Sequence, residues 1–179
     1  TIKVGTNLND STTRIIYDGI KLATFTWEKN DSLIAVGYDT DGNYQGLSMF
    51  KLVSGADSIY ATFSGGKIGS ATKYDVYYKN KALTINPSTG IPTYNPVELT
   101  QNNNDNTKHL KSNLYLASFN VIDSTNHTTE FSNMQLILQN CIMEFNLSNI
   151  PTNVGKLKKL VWEDETSAGT KSISLLFAK

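Results

Sequence analysis

The chain has 179 residues, sixteen basic and sixteen acidic, and a hydrophobic fraction of 39%. That length accommodates one large domain able to bury a core without disulfide staples. The balanced charge, with no basic block longer than KLKK at 156–159, excludes the positive field that nucleic-acid binding needs, and no apolar run is long enough to span a bilayer.

The N-terminal segment TIKVGTNLNDSTTR sets Ile2, Val4, Thr6 and Leu8 against Thr1, Lys3, Gly5 and Asn7. This is the period of a strand with one buried face. A polar stretch, NDSTT, then leads to Arg14, the only arginine in the chain. Ala23, Phe25 and Trp27 alternate again, and LIAVGY reads as a more continuous apolar strand. In the following DTDGN, Asp39, Asp41 and Asn43 open like a calcium loop. The positions where such a loop needs glycine and a bidentate glutamate hold Tyr44 and Phe50, so the ligand set fails. Asp-Gly between two apolar runs instead signals a hairpin.

FKLV, SIYATFSG and YDVYY continue the strand pattern. Alternation in the last of these places Tyr74, Val76 and Tyr78 on the core face and leaves Tyr77 half-exposed on the other. From 86 to 110 the rhythm breaks: three of the four prolines and a polar tract at 101–106 mark a long surface excursion. LYLASFNVI, MQLILQ, CIMEFNL, LKKLVW and ISLLF resume the short strands. Many short strands between turn clusters specify an all-β sandwich or barrel.

Catalytic signatures are scarce. The single cysteine, Cys141, shares a strand face with Met143, Phe145 and Leu147, the setting of a buried, inert thiol. His109 and His127 have no histidine or cysteine at metal-ligand spacing. No serine sits in a nucleophile elbow, and the glycines of SGGKIGS lack the strand-to-helix context of a phosphate loop. The expectation is no enzymatic activity, no metal and no cofactor. Asn9, Asn30, Asn126 and Asn146 begin N-x-Ser/Thr triplets, which matter only in a eukaryotic source. No signal peptide is visible, which leaves the compartment open; the composition, poor in charge and rich in Asn, Ser, Thr and Tyr, points to the outside of a cell.

Laid out in order, TIKV, STTR, TFTWEKNDSLIAV, YATFSG, YDVYY, VELTQ, HLKSNLYLAS and CIMEFNL resemble the fimbrillin-like proteins of Bacteroides and Porphyromonas. These are the major-pilin and tip or anchor subunits of surface fimbriae. One departure is YYKN, where the family usually has Tyr-Pro after its tyrosine-rich strand. The resemblance implies a transthyretin-like β-sandwich of about seven strands, with Greek-key connections and one long loop. It implies a single N-terminal domain over 1–179, with 166–179 as a linker or the first strand of a further domain.

Functionally, the resemblance implies a non-catalytic structural and adhesion subunit, exported to the bacterial cell surface as an outer-membrane lipoprotein. Such subunits assemble with one another by strand donation and present a surface to host or bacterial ligands. Arg14 matches the arginine at which the N-terminal strand is processed, and Ile2, Val4, Thr6 and Leu8 match the plug side chains. Ser11, Ser32, Ser58 and Ser124 fit the Asp-Ser/Thr pattern of O-glycosylation in these bacteria. Ile173, Leu175 and Phe177 alternate in ISLLF and serve equally as a donor strand or a domain strand. The alternative is a secreted carbohydrate-binding sandwich, for which Tyr94 in the 86–110 segment is the placed aromatic.

Overall fold

The run Leu33-Ile34-Ala35-Val36 shows no alternation because both faces of its strand are buried: all four are 7% exposed or less. This strand, β4, lies at the centre of the fold. The computed structural model describes residues 26–97, 108–123 and 131–140, together with the strand backbones at 2–5, 16–17, 21–22, 159–164 and 171–176.

The elements in chain order are β1 (Ile2–Gly5), β2 (Ile16–Tyr17), β3 (Lys21–Leu22), β4 (Ser32–Tyr38), β5 (Tyr44–Ser54), β6 (Tyr60–Gly65) and β7 (Lys73–Tyr78). Then come β8 (Leu83–Ile85), β9 (Pro92–Tyr94), a 3-10 helix (Lys108–Asn113), β10 (Leu116–Ile122), β11 (Phe131–Gln135), β12 (Ile137–Leu138), β13 (Lys159–Asp164) and β14 (Lys171–Leu176). The fold is all-β and sandwich-like, as the strand pattern requires.

Eight strands form one sheet in the order β11-β1-β6-β5-β4-β7-β10-β12. β4, β5 and β6 form a meander, and β7 returns to the far side of β4, which is a Greek-key connection. β11 and β12 are two halves of one segment, separated only by Leu136. The first half pairs with β1 and the second with β10. The segment therefore bridges both edges and closes the sheet on itself, with Leu136 buried at the crossing. A strand that changes partners at a bend is how sandwiches make their corners.

The larger core fills the inner face, where Leu33, Phe50, Phe63, Tyr74, Val76, Leu116 and Leu136 meet. Trp27 packs edge-on against Phe63 and Tyr78, with ring centroids 4.9 and 6.0 Å apart. Its indole N–H donates to the Ile59 carbonyl (3.2 Å), and its backbone N–H donates to Ser58 (3.0 Å). Such a ring contributes both apolar area and a directional anchor.

A second cluster lies on the outer face, where Ile34, Val36, Tyr77 and Ala117 meet Leu83 of the β8–β9 hairpin. The hairpin lies close to the sheet at Gly90, which has φ +72°; a Cβ there would come within 2.6 Å of Val36 and 2.7 Å of Tyr44. Tyr44 also donates its hydroxyl to the Pro87 carbonyl (2.8 Å). This layer corrects two expectations. Tyr77, read as half-exposed, is 2% exposed because the hairpin covers that face. The 86–110 excursion is not one continuous loop, since it contains β9 and the start of the 3-10 helix.

β13 and β14 pair antiparallel from Lys159↔Leu176 to Asp164↔Lys171, so 166–179 supplies a strand to a hairpin within this chain. The strand expected at CIMEFNL, with Cys141, lies outside the described residues, as do Ala23, Phe25 and His127.

Candidate functional site

β1 is inserted between two strands. It runs antiparallel to β6, with Ile2↔Phe63, Lys3↔Thr62, Val4↔Ala61 and Gly5↔Tyr60 in register. It runs parallel to β11, with Ile2↔Phe131, Val4↔Met134 and Gly5↔Gln135, and the register shifts between the first two pairs. Among the described strand pairs this is the one parallel ladder. Of the plug residues expected from the sequence, Ile2 and Val4 fall within β1. They sit across from Phe63 and Ala61, which are buried, as is Met134 on the other side. Thr6, Leu8 and Arg14 lie outside the described residues.

Taking β1 away would leave β6 and β11 as facing edges with unpaired N–H and C=O groups beside Phe63, Ala61 and Met134. Such edges are templates for another strand. The chemistry this gap offers is backbone pairing with a strand of matching length.

A polar cleft lies elsewhere, at the start of β4. The turn before the strand is closed by Asp31, whose backbone N–H donates to the Glu28 carbonyl (2.9 Å). Its carboxylate Oδ2 accepts the Glu28 backbone N–H (2.8 Å). This is how a short polar side chain fixes a turn. The carboxylate is 9% exposed and draws in two distant groups. The Tyr78 hydroxyl donates to Oδ1 (2.9 Å). Lys111 Nζ, on the 3-10 helix, lies 2.9 Å from Oδ1, 3.0 Å from Oδ2 and 3.0 Å from Glu28 Oε2.

The ammonium also stands 5.9 Å from the centre of the Tyr78 ring, within cation–π range. Burial, and next the Asp31 charge, push the Tyr78 phenol well above its ordinary value. Asn80 holds the helix in place: its amide donates to the carbonyls of Lys111 and Leu114 and its Oδ1 accepts from Ala82 and Leu83. The cleft, about 430 Å³ and open to solvent, is walled by Glu28, Tyr78, Asn80 and Lys111, with exposed Lys79 and Lys81 beside them. The sequence pattern placed Tyr78 on the core face, but no local signal joins it to Asp31 or Lys111.

Tyr94 is not a free platform. Its ring stacks on Tyr115, with centroids 5.2 Å apart and planes 10° from parallel, and Tyr115 stacks in turn on Tyr77 at 6.3 Å. The Tyr94 hydroxyl donates to the Asn113 carbonyl (2.6 Å) and accepts from Asn140 Nδ2 (3.2 Å). Asn113 pins the segment after β9 through paired bonds with the Val97 backbone, 2.9 and 2.7 Å long.

DTDGN forms a tight turn with Gly42 at φ +86°. Asp39 Oδ1 accepts the N–H groups of Asp41 (3.0 Å) and Asn43 (2.8 Å), while Oδ2 accepts from the Asn43 and Gln45 amides. The Asn43 bonds hold the Asp39 carboxyl below the usual carboxylate range. Of the four candidate O-glycosylation sites, Ser32 opens β4 and is half-buried, and Ser58 Oγ accepts the Tyr60 N–H (3.1 Å). Ser11 and Ser124 lie outside the described residues. Among the described residues, no three acidic, histidine or cysteine side chains gather as metal ligands, and no helix is long and apolar enough to cross a membrane.

Comparison of the chain with protein-family models, with curated proteins and with solved structures finds no match.

Proposed function

We propose that this chain is a non-catalytic structural and adhesion subunit of a bacterial surface fimbria, assembling by β-strand donation after cleavage at Arg14 releases its N-terminal strand. The observation that carries the reading is the place of β1, between β6 and β11 rather than at an edge. The described strand Ile2–Gly5 is four residues long and pairs on both sides, a length that a strand from another subunit can match. Once the chain is cut at Arg14, such a strand competes for the same two ladders and the same apolar positions. The adhesive ligand belongs to the same proposal and is a host or bacterial surface component. The carbohydrate-binding alternative draws less support, because the Tyr94 hydroxyl and one ring face are committed within the chain.

Because Arg14 is the only arginine, an arginine-specific protease provides a clean test. The expected result is a single cut after residue 14, loss of the N-terminal peptide and growth of oligomers by size-exclusion chromatography. An excess of synthetic peptide 1–14 suppresses that growth. An uncut Arg14 in the folded chain, or a cut chain that stays monomeric after the peptide has been removed, overturns the proposal.

A further inference from the structure

We infer that Lys111 and Asp31 are joined in the mature chain by an intramolecular isopeptide bond, formed by the chain itself with Glu28 as proton carrier. An ion pair alone needs only one carboxylate for Lys111. Here the ammonium touches two: Asp31 at 2.9 and 3.0 Å and Glu28 at 3.0 Å. Lying that near both oxygens of one carboxyl group puts Nζ about 3 Å from the carbon between them, within near-attack range.

Each remaining group has a use in the reaction. Glu28 Oε2 relays one proton from the ammonium to Asp31 Oδ2, which leaves a neutral amine beside a neutral carboxyl group, and the amine attacks Asp31 Cγ. In the tetrahedral intermediate the charge develops on Oδ1, where the Tyr78 hydroxyl already donates at 2.9 Å; a preorganised donor at a developing oxyanion is the most effective kind of stabilisation. Glu28 then carries a second Nζ proton to Oδ2, the C–Oδ2 bond breaks, and water leaves. The balance closes: ammonium plus carboxylate gives one amide and one water, with no oxidant, activating group or metal. Oδ1 remains as the amide oxygen and keeps its bond from Tyr78.

Bulk water drives this condensation backwards, so the site must overcome that bias. The Asp31 side chain is 9% exposed, which shields its carboxyl carbon from water although the cleft beside it is open and the Lys111 side chain is 23% exposed. Holding the two groups in contact supplies an effective concentration on the order of 10⁵ M or more. Product formation also removes two charges from a poorly solvated place, where an ion pair recovers little of its desolvation cost.

The test is intact mass spectrometry of the purified full chain under denaturing conditions, followed by tryptic peptide mapping. The expected mass is lower than that of the sequence by one water, with a branched peptide joining the segments that carry Asp31 and Lys111. Lys111→Arg restores the full mass. Glu28→Ala, at an exposed side chain, keeps the circular dichroism of the parent and slows bond formation on the order of a hundredfold. A wild-type chain at its full sequence mass means an ion pair only and overturns the inference. Water loss without the branched Asp31–Lys111 peptide overturns it as well. Rapid cross-linking in Glu28→Ala overturns the role given to Glu28.

Discussion

Tyr78 and Asp31, forty-seven residues apart in the chain, are joined by a 2.9 Å hydrogen bond from the phenol to a carboxylate that is almost fully withdrawn from water. The bond ties the end of β7 to the turn that starts β4. A buried carboxylate that loses a donor bears the desolvation cost itself. Tyr78→Phe is therefore expected to lower unfolding stability by about 1–2 kcal/mol. In a Lys111→Arg background, which keeps a cation beside Asp31 but cannot form the cross-link, Asp31→Ala strands both the hydroxyl and that cation and costs about 2–4 kcal/mol, at the lower end of the range for broken buried pairs because residue 111 keeps some water. Urea midpoints at neutral pH check both values; equal, negligible shifts would show that the cluster is decorative.

The same burial gives the protein a weakness in alkali. Tyr77 and Tyr78 both have phenols pushed above the ordinary value, chiefly by burial and then by neighbouring charges, Asp75 and Asp31 respectively. In the unfolded chain they ionise near pH 10. Their contribution is fully present below that pH. Above it the unfolded state loses protons that the folded state keeps, so stability falls as pH rises toward the folded values. The expected slope is at most about 1.4 kcal/mol per pH unit for each tyrosine. Urea melts at pH 8, 10 and 11 should show a plateau and then a drop, and Tyr78→Phe should make the drop shallower.

Gly90 should tolerate no side chain. Its φ of +72° disfavours any L-residue, and an added methyl would meet Val36 and both near carbons of the Tyr44 ring at 2.6–2.8 Å. Strain at positive φ and overpacking together put the cost of Gly90→Ala at about 2–4 kcal/mol. Gly42, which also has positive φ but no atom within 4 Å of its missing Cβ, provides the control. Gly42→Ala should cost about 1–2 kcal/mol, from backbone strain alone. A thermal-melting comparison of the two variants separates crowding from conformation.

Asp39 organises its turn through a carboxylate that accepts from two backbone N–H groups and two side-chain amides. Its folded pKa lies below the ordinary value, chiefly through Asn43. The linked stability is present above the usual carboxylate range and is lost as pH falls through the folded value. Carbon-detected NMR titration should place the Asp39 carboxyl low in the wild type. Asn43→Gly, which keeps the backbone donor and removes the amide, should move it part of the way back. An unchanged titration in that variant would assign the whole effect to the backbone bond.

Period-two patterning made the strands readable because each residue's face depends only on its neighbours. Tyr74, Val76 and Tyr78 fell on the core side for that reason, and Asp41-Gly42 announced its turn. Tyr77 did not obey the same reading. Its burial depends on a hairpin whose docking is set by Gly90, thirteen positions later in the numbering, and no local pattern encodes such a contact. The Asp31 cluster was invisible for the same reason: its members come from a turn, a strand and a 3-10 helix. The insertion of β1 belongs to topology. Alternation at Ile2 and Val4 announces a strand, but it does not say that β6 and β11 flank it.

Closure of the sheet rests on one residue where two strands meet. Leu136 is 2% exposed between β11, which pairs with β1, and β12, which pairs with β10. Cutting its side chain back to Ala removes core atoms at the point where the segment changes partners, at a cost of about 2–5 kcal/mol. Ile137, the next residue, is 49% exposed, and Ile137→Ala should stay within about 0.5 kcal/mol of the parent. Beyond the global loss, Leu136→Ala should loosen both ladders that the segment joins. Hydrogen exchange should therefore accelerate at the β1–β11 pairing and at Leu116–Ala117 together, while the β4–β5 amides exchange only through global unfolding. Acceleration confined to one of the two ladders would show that β11 and β12 act as separate edges and that the sheet is open.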